Sequence, residues 1–234
     1  MNPNDPNVAM MEVVAERLGE RLREELVFVG GAVAGLLITD PAQPTIRPTE
    51  DVDLIVHAAA RADYRRVEKA LRGRGFVNDI SPDAPICRWR VGDVTVDVMP
   101  TLEDILGFSN CWYPLALETA VKVALPSGTP IRLVTAPVFV GTKLEAFAHR
   151  GQNDYLFSHD LGDLISVIDG RDELIAECRN QEAALKDYLR ERFRGLLATA
   201  SCREVLPGHL PGDAASQARR PDLEDKLRLL AELE

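Results

Sequence analysis

Apolar residues recur at Val14, Leu18, Leu22 and Leu26 among charged ones over residues 8–26, a spacing near 3.6 that predicts an amphipathic helix. LVFVGG (26–31) reads as a short buried strand ending in glycines, and AVAGLL (32–37) suits a helix. Three prolines in TDPAQPTIRPTE (39–50) make that stretch a loop. DVDLIV (51–56) is a strand with Asp at alternate positions, and RADYRRVEKALRGRG (61–75) is a helix closed by Gly73 or Gly75. FVNDI, ICRWRV and VTVDVMP are further strand candidates, with Gly92-Asp93 as a hairpin turn between the last two. This order predicts a mixed sheet with helices on one side.

After the strand IRLV, Thr135 is placed to cap a helix over TAPVFVGTKLEAFAHRG, with Pro137 near its start and Gly151 as its stop. Ser158 with Asp160 to Asp163 opens another helix, and residues 172–200 hold one or two more. LPGHLPGDA is a turn-rich break before a terminal helix around 216–233. The expected class is α+β: a mixed β-sheet with flanking helices over residues 1–135, then a helical C-terminal region over 136–234.

The 234 residues, 46 % hydrophobic and 27 % charged, are enough for a core that needs no disulfide or metal staple. A net charge of −10 makes the chain a poor non-specific nucleic-acid binder, so any nucleic acid must be met by a local basic patch. Cys87, Cys111, Cys178 and Cys202 lie at least 24 residues apart, with no C-x-x-C, and are expected as reduced thiols. MNPNDPNVAMMEVV lacks the build of a leader, and no 18-residue apolar run occurs. A soluble cytoplasmic protein with no membrane partner is expected.

The residue pattern with chemistry in it is Gly30-Gly31, then Asp51-x-Asp53, then Asp97. Side chains i and i+2 of a strand share a face, so Asp51 and Asp53 project together, and Asp97 projects opposite Val96 and Val98. On neighbouring strands the three carboxylates would converge. Like charges that close raise at least one pKa unless a cation joins them, and Mg²⁺ prefers oxygen ligands while keeping positions open for substrate phosphates. Glycines between a strand and a helix let a phosphate approach backbone N–H groups.

This pattern resembles the nucleotidyltransferase superfamily of polymerase-beta-like fold. More narrowly the sequence resembles the AbiEii-type nucleotidyltransferases, the toxins of type IV toxin–antitoxin systems that include the MenT proteins. The residues that match are Phe28-Val29-Gly30-Gly31, Arg47-x-Thr49-x-Asp51-Val52-Asp53, Val96-Asp97-Val98, Lys143-Leu144-Glu145-Ala146, Arg150-Gly151 and His159-Asp160-Leu161-x-Asp163. The Pro-rich link between Gly31 and Asp51 is longer than the common pattern. The resemblance implies a transferase that moves NMP from an NTP such as ATP to an acceptor hydroxyl and releases pyrophosphate. Asp51 and Asp53 would hold two Mg²⁺, with Asp97 binding one of them and helping to deprotonate the acceptor.

Thr49 would bind phosphate with the Gly30 and Gly31 amides, or else cap a turn. Lys143 would meet the β- and γ-phosphates, or simply be solvated beside the apolar Leu144 and Phe147. Asp160 would orient Lys143, or act only as an acidic first-turn residue. Arg47 would reach phosphate or form a structural ion pair. The acceptor implied first is the 3′ end of tRNA, with an antitoxin as partner; a small molecule or a protein hydroxyl is second. A non-catalytic nucleotide-binding regulatory module is the rival from another class.

His57, His149, His159 and His209 lack shared ligand spacing and read as structural or surface residues. Trp89, Trp112 and Tyr113 read as packing residues more than base-stacking ones. The basic face of 61–75 reads as solvated, with an RNA-tracking role as the alternative.

Overall fold

A computed structural model describes residues 5–42, 46–107, 109–151 and 153–234. Residues 1–4 and 43–45, the latter inside the predicted Pro-rich loop, lie outside the described residues. The chain divides into two compact units, Met1–Gly35 with Arg47–Thr135, and Leu36–Ile46 with Ala136–Glu234.

The first unit is built on strands β1 (Leu26–Val29), β2 (Asp51–Val56), β3 (Val77–Asn78), β4 (Arg88–Val91), β5 (Val94–Pro100), β6 (Val121–Ala124) and β7 (Pro130–Leu133). They form one sheet in the order β3-β4-β5-β2-β1-β7-β6. β2 runs parallel to β5 and β1 parallel to β7, while the other pairs are antiparallel, so the sheet is mixed. Val27, Phe28, Val52, Leu54, Ile55, Val96 and Val98 are fully buried, and because Val27 and Phe28, like Leu54 and Ile55, point to opposite faces, the central strands are covered on both sides.

Helix Pro6–Glu25 starts at Asp5, whose side chain accepts from the Asn7 N–H, and its helical backbone is interrupted at Gly19. It lies beside helix Arg61–Gly73, where the Arg74 guanidinium closes on Gly19. Arg72 from that second helix stacks over Trp89, 5.2 Å from the ring centroid. Trp89 is completely buried, as its packing role predicts. The expectation of helices on one side only is not met: Tyr113, opening helix Tyr113–Thr119, donates to Met99 Sδ at 3.3 Å, and Met99 shares the Asp97 face of β5. Helices therefore flank both faces.

The second unit is helical apart from its linking segments. Helix Ala136–Arg150 is buried along nearly its whole first half, and Ser158 caps helix His159–Gly170 by accepting from the Leu161 N–H. Thr135 does not act as the predicted cap, since its buried hydroxyl makes no hydrogen bond. Leu185, Leu189 and Phe193 form the buried stripe of helix Ala183–Ala198, which packs against helix Arg220–Ala231. The segment from 36 joins this unit: the Thr39 and Asp40 amides both donate to the Gly170 carbonyl at 3.0 Å, and Arg219 clamps Asp40 to Asp169. Cys87, Cys178 and Cys202 are buried thiols, and no helix among the described residues is long and apolar enough to cross a membrane.

Candidate active site

A row of directly paired residues crosses the sheet. Val29 of β1 faces Asp53 of β2, Asp53 faces Asp97 of β5, and Asp97 faces Arg88 of β4. Paired residues point to the same side, and Asp51, two positions before Asp53, joins that side. One carboxylate oxygen from each of Asp51, Asp53 and Asp97 lies within 4.8 Å of the others. Asp97 is buried at 8 % exposure, while Asp51 and Asp53 are half-buried and open to a ligand.

Gly30 follows β1 with φ +74° and ψ −168°, a conformation open essentially to glycine alone. The space matters as much as the backbone. A Cβ built there would lie 1.8 Å from Asp53 Oδ2, so the carboxylate occupies the room the missing side chain leaves. Gly31 is buried and opens the 3₁₀ turn Gly31–Val33, followed by the short helix Ala34–Leu37. Two short turns carry little dipole, so an anion here would be met mainly by individual N–H groups.

The structure adds Arg88, which the sequence reading did not single out. Its Nε donates to Asp97 Oδ1 at 2.9 Å and its Nη2 to Asp97 Oδ2 at 2.7 Å, a two-pronged charge-assisted pair. The same Nη2 reaches Asp51 Oδ2 at 3.4 Å. The Asp97 hydrogen bond is the chief cause that raises the Arg88 pKa above its ordinary value, so the guanidinium is firmly charged. Burial pushes the neighbouring Cys87 thiol up to about 12.

Thr49 sits at the entry to β2. Its N–H donates to Asn7 Oδ1 at 2.8 Å, and its hydroxyl lies 3.1 Å from the Asp51 carbonyl and 3.3 Å from the same Asn7 oxygen. Asn7, fully buried, also donates to the Arg47 carbonyl at 3.1 Å, so one side chain clamps the segment that delivers Asp51. The sequence reading missed Asn7; a buried asparagine near an N-terminus leaves no spacing signal. Arg47 is exposed and donates to the Pro48 carbonyl at 3.1 Å.

Lys143 and Asp160 meet in the second unit. Lys143 is buried at 6 % exposure, which overturns the solvated alternative. Its Nζ donates to Asp163 Oδ2 at 2.7 Å and to Asp160 Oδ1 at 3.2 Å, and Arg150 grips both Asp160 oxygens at 2.7 and 2.8 Å. Burial would raise the Asp160 carboxyl, but the Arg150 hydrogen bonds and the Lys143 charge outweigh it and hold it below the ordinary range. Asp163 and Arg150 complete a cluster of two cations and two anions. The signal for Asp163 is its i, i+3 spacing from Asp160, which puts both on one face of helix His159–Gly170.

No protein-family model matches the chain, and no curated protein sequence matches it. Solved structures do. An antigenic nucleotidyltransferase-like protein from Paracoccidioides brasiliensis superposes with a TM-score of 0.50 at 22 % identity, over 86 % of this chain and 94 % of that one. The antibiotic-resistance factor ANT(2'')-Ia gives 0.48 at 16 % identity, over 84 % and 96 %. JHP933 from Helicobacter pylori gives 0.47 at 14 % identity, over 96 % and 90 %. The chain thus has the α+β fold of a nucleotidyltransferase-like protein.

Proposed function

We propose that the protein is a Mg²⁺-dependent nucleotidyltransferase that moves NMP from an NTP to an acceptor hydroxyl. The observation that carries this reading is the convergence of Asp51, Asp53 and Asp97 on adjacent strands beside a glycine whose missing side chain makes room for one of them. An all-carboxylate donor set with two half-buried members suits hard cations such as Mg²⁺. Asp51 and Asp53 would hold two ions, with Asp97 shared to one of them. When bound, such ions stabilise the entering and leaving oxygens of an in-line displacement at the α-phosphorus. The acceptor oxygen forms the new P–O bond, pyrophosphate leaves with the old one, and Asp97 takes the acceptor proton.

The Gly30 and Gly31 amides, Thr49 and Arg47 are assigned to the phosphates, and Lys143 oriented by Asp160 to the β- and γ-phosphates. We assign the transfer chemistry to residues 1–135 and nucleotide contacts from Lys143 to the helical region 136–234. The acceptor is read as the 3′ end of tRNA, and the protein as a type IV toxin restrained by an antitoxin, on the AbiEii-type residues quoted above. Exposed Arg65 and Lys69 on helix Arg61–Gly73 are the local basic surface that an acidic chain needs for RNA. A purely regulatory nucleotide-binding module has no use for three converging carboxylates.

Incubation of the purified protein with each labelled NTP, Mg²⁺ and total RNA tests the reading. Label on tRNA is expected. Label on protein or on an added small hydroxyl compound keeps the transferase and replaces the acceptor, and no label on any acceptor overturns the transferase.

A further inference from the structure

Arg88 comes from a third strand and lies within the carboxylate group itself. Both Asp97 oxygens accept from it, and its Nη2 bridges towards Asp51, so the lone pairs a cation would use on these two residues face a guanidinium. Its backbone is fixed by the β4–β5 ladder, where Arg88 stands opposite Asp97. Its side chain is 30 % exposed, so it can turn towards solvent without opening a hole in the core. Arg90, two residues on, shares its face and is exposed, so the direction in which Arg88 would turn is already polar.

We propose that Arg88 is an exchangeable counter-ion. In the metal-free protein it neutralises Asp97 and Asp51 and holds them in place. It releases them when a divalent cation binds, and the freed guanidinium turns to the phosphates of the nucleotide. This inference rests on the metal-site reading above. Three like charges need a partner in the absence of metal, and a fork that binds both oxygens of one carboxylate competes directly for the lone pairs the metal requires. Arg88 therefore sets the metal concentration at which the site fills, and nucleotide phosphate, by offering Arg88 another partner, lowers that concentration reciprocally.

Titration calorimetry with Mn²⁺ and no nucleotide, on the wild type, Arg88→Gln and Arg88→Lys, tests it. Arg88→Gln should bind Mn²⁺ about tenfold more tightly, the scale of one charge-assisted hydrogen bond. Its metal-free melting temperature should fall, and Mn²⁺ should raise it by more than in the wild type. Arg88→Lys should bind with intermediate strength, because an ammonium keeps the charge but cannot fork. Equal or weaker binding by Arg88→Gln overturns the proposal, since a residue that merely orients Asp97 would lower affinity when lost. Weaker than wild-type binding by Arg88→Lys also overturns it, whereas wild-type affinity there keeps the counter-ion and assigns the competition to charge alone; this variant decides the question where Arg88→Gln does not fold. Absence of Mn²⁺ binding in every form overturns both this inference and the metal site. Altered affinities as expected, without NMP transfer to any acceptor, leave the counter-ion standing and overturn the transferase alone.

Discussion

A side chain at position 30 would need the volume held by the Asp53 carboxylate, at a backbone conformation that costs other residues about 1–3 kcal/mol. Gly30→Ala is therefore expected to lower the metal-free melting temperature and to abolish the rise that Mg²⁺ gives; a full Mg²⁺ response in this variant would refute the cradle. Asp53→Asn and Asp97→Asn should both abolish transfer, yet differ in stability. Asp97→Asn also weakens the Arg88 fork, a loss of about 1.5–3 kcal/mol on the scale of hydrogen bonds to charged groups. Paired melts and labelled-NTP assays separate the two. Lys143 calls for a different design, because burial makes its removal costly whatever its function. Lys143→Ala leaves Asp163 without that charge in the interior and should cost about 3–5 kcal/mol. Lys143→Met combined with Asp163→Leu removes both ends of the pair and should recover most of that loss. If the recovered protein also keeps its kcat/KM for NTP, Lys143 is structural; a raised KM assigns it to the nucleotide.

At the scale of elements, the β4–β5 hairpin determines which charges meet. Its turn is Gly92-Asp93, with Gly92 at φ +56° and open space where a Cβ would go. Gly92→Ala should cost about 1 kcal/mol for the left-handed backbone and leave Mn²⁺ affinity unchanged, as measured by denaturant unfolding beside calorimetry. A changed affinity would mean that the ladder had slipped. The same hairpin shows how much was legible beforehand. Alternation placed Asp51, Asp53 and Asp97 on strands, and the turn signal was read correctly. Counting outward from a two-residue turn, the fourth residue on each side is Arg88 and Asp97, so this pair too is legible in the sequence. Other features were out of reach. β6 is an edge strand whose residues are mostly exposed, so it lacks the apolar run that marks β1 or β2. β3 is only Val77–Asn78, paired with Arg90 and Trp89 of β4, and beyond it the Asp79 N–H still donates to the Arg88 carbonyl at 3.0 Å. The terminal helix divides into Ala214–Ala218 and Arg220–Ala231, with Arg219 between them turned to Asp40 and Asp169, a choice made by contacts far away in sequence.

Across the whole molecule, the two units carry charge clusters of opposite design. The carboxylate group of the first turns one oxygen each of Asp51, Asp53 and Asp97 towards a common point, which suits a cation, whereas in the second Lys143 and Arg150 already lie against Asp160 and Asp163. Divalent metal should act on the first, adding about 2.7 kcal/mol at one hundred times its Kd. Acid should act on the second, in two windows. His209 is held neutral because burial lowers its pKa below 6.5, although its Nε2 contact with the Tyr155 carbonyl at 2.7 Å works the other way. The unfolded chain binds that proton more readily, so the contribution is complete above pH 6.5 and declines as pH falls below it. Asp160 is lowered from 3.8, so its contribution is complete above that value and is lost only in stronger acid. Urea unfolding midpoints measured from pH 7.5 to 3 should therefore fall in the wild type from about pH 6.5 downward. His209→Gln, which keeps a donor for the Tyr155 carbonyl but cannot titrate, should hold its midpoint until near pH 4 and then fall with the wild type. If His209→Gln instead declines alongside the wild type between pH 6.5 and 5, some other group governs the first window and the buried neutral imidazole is not its source.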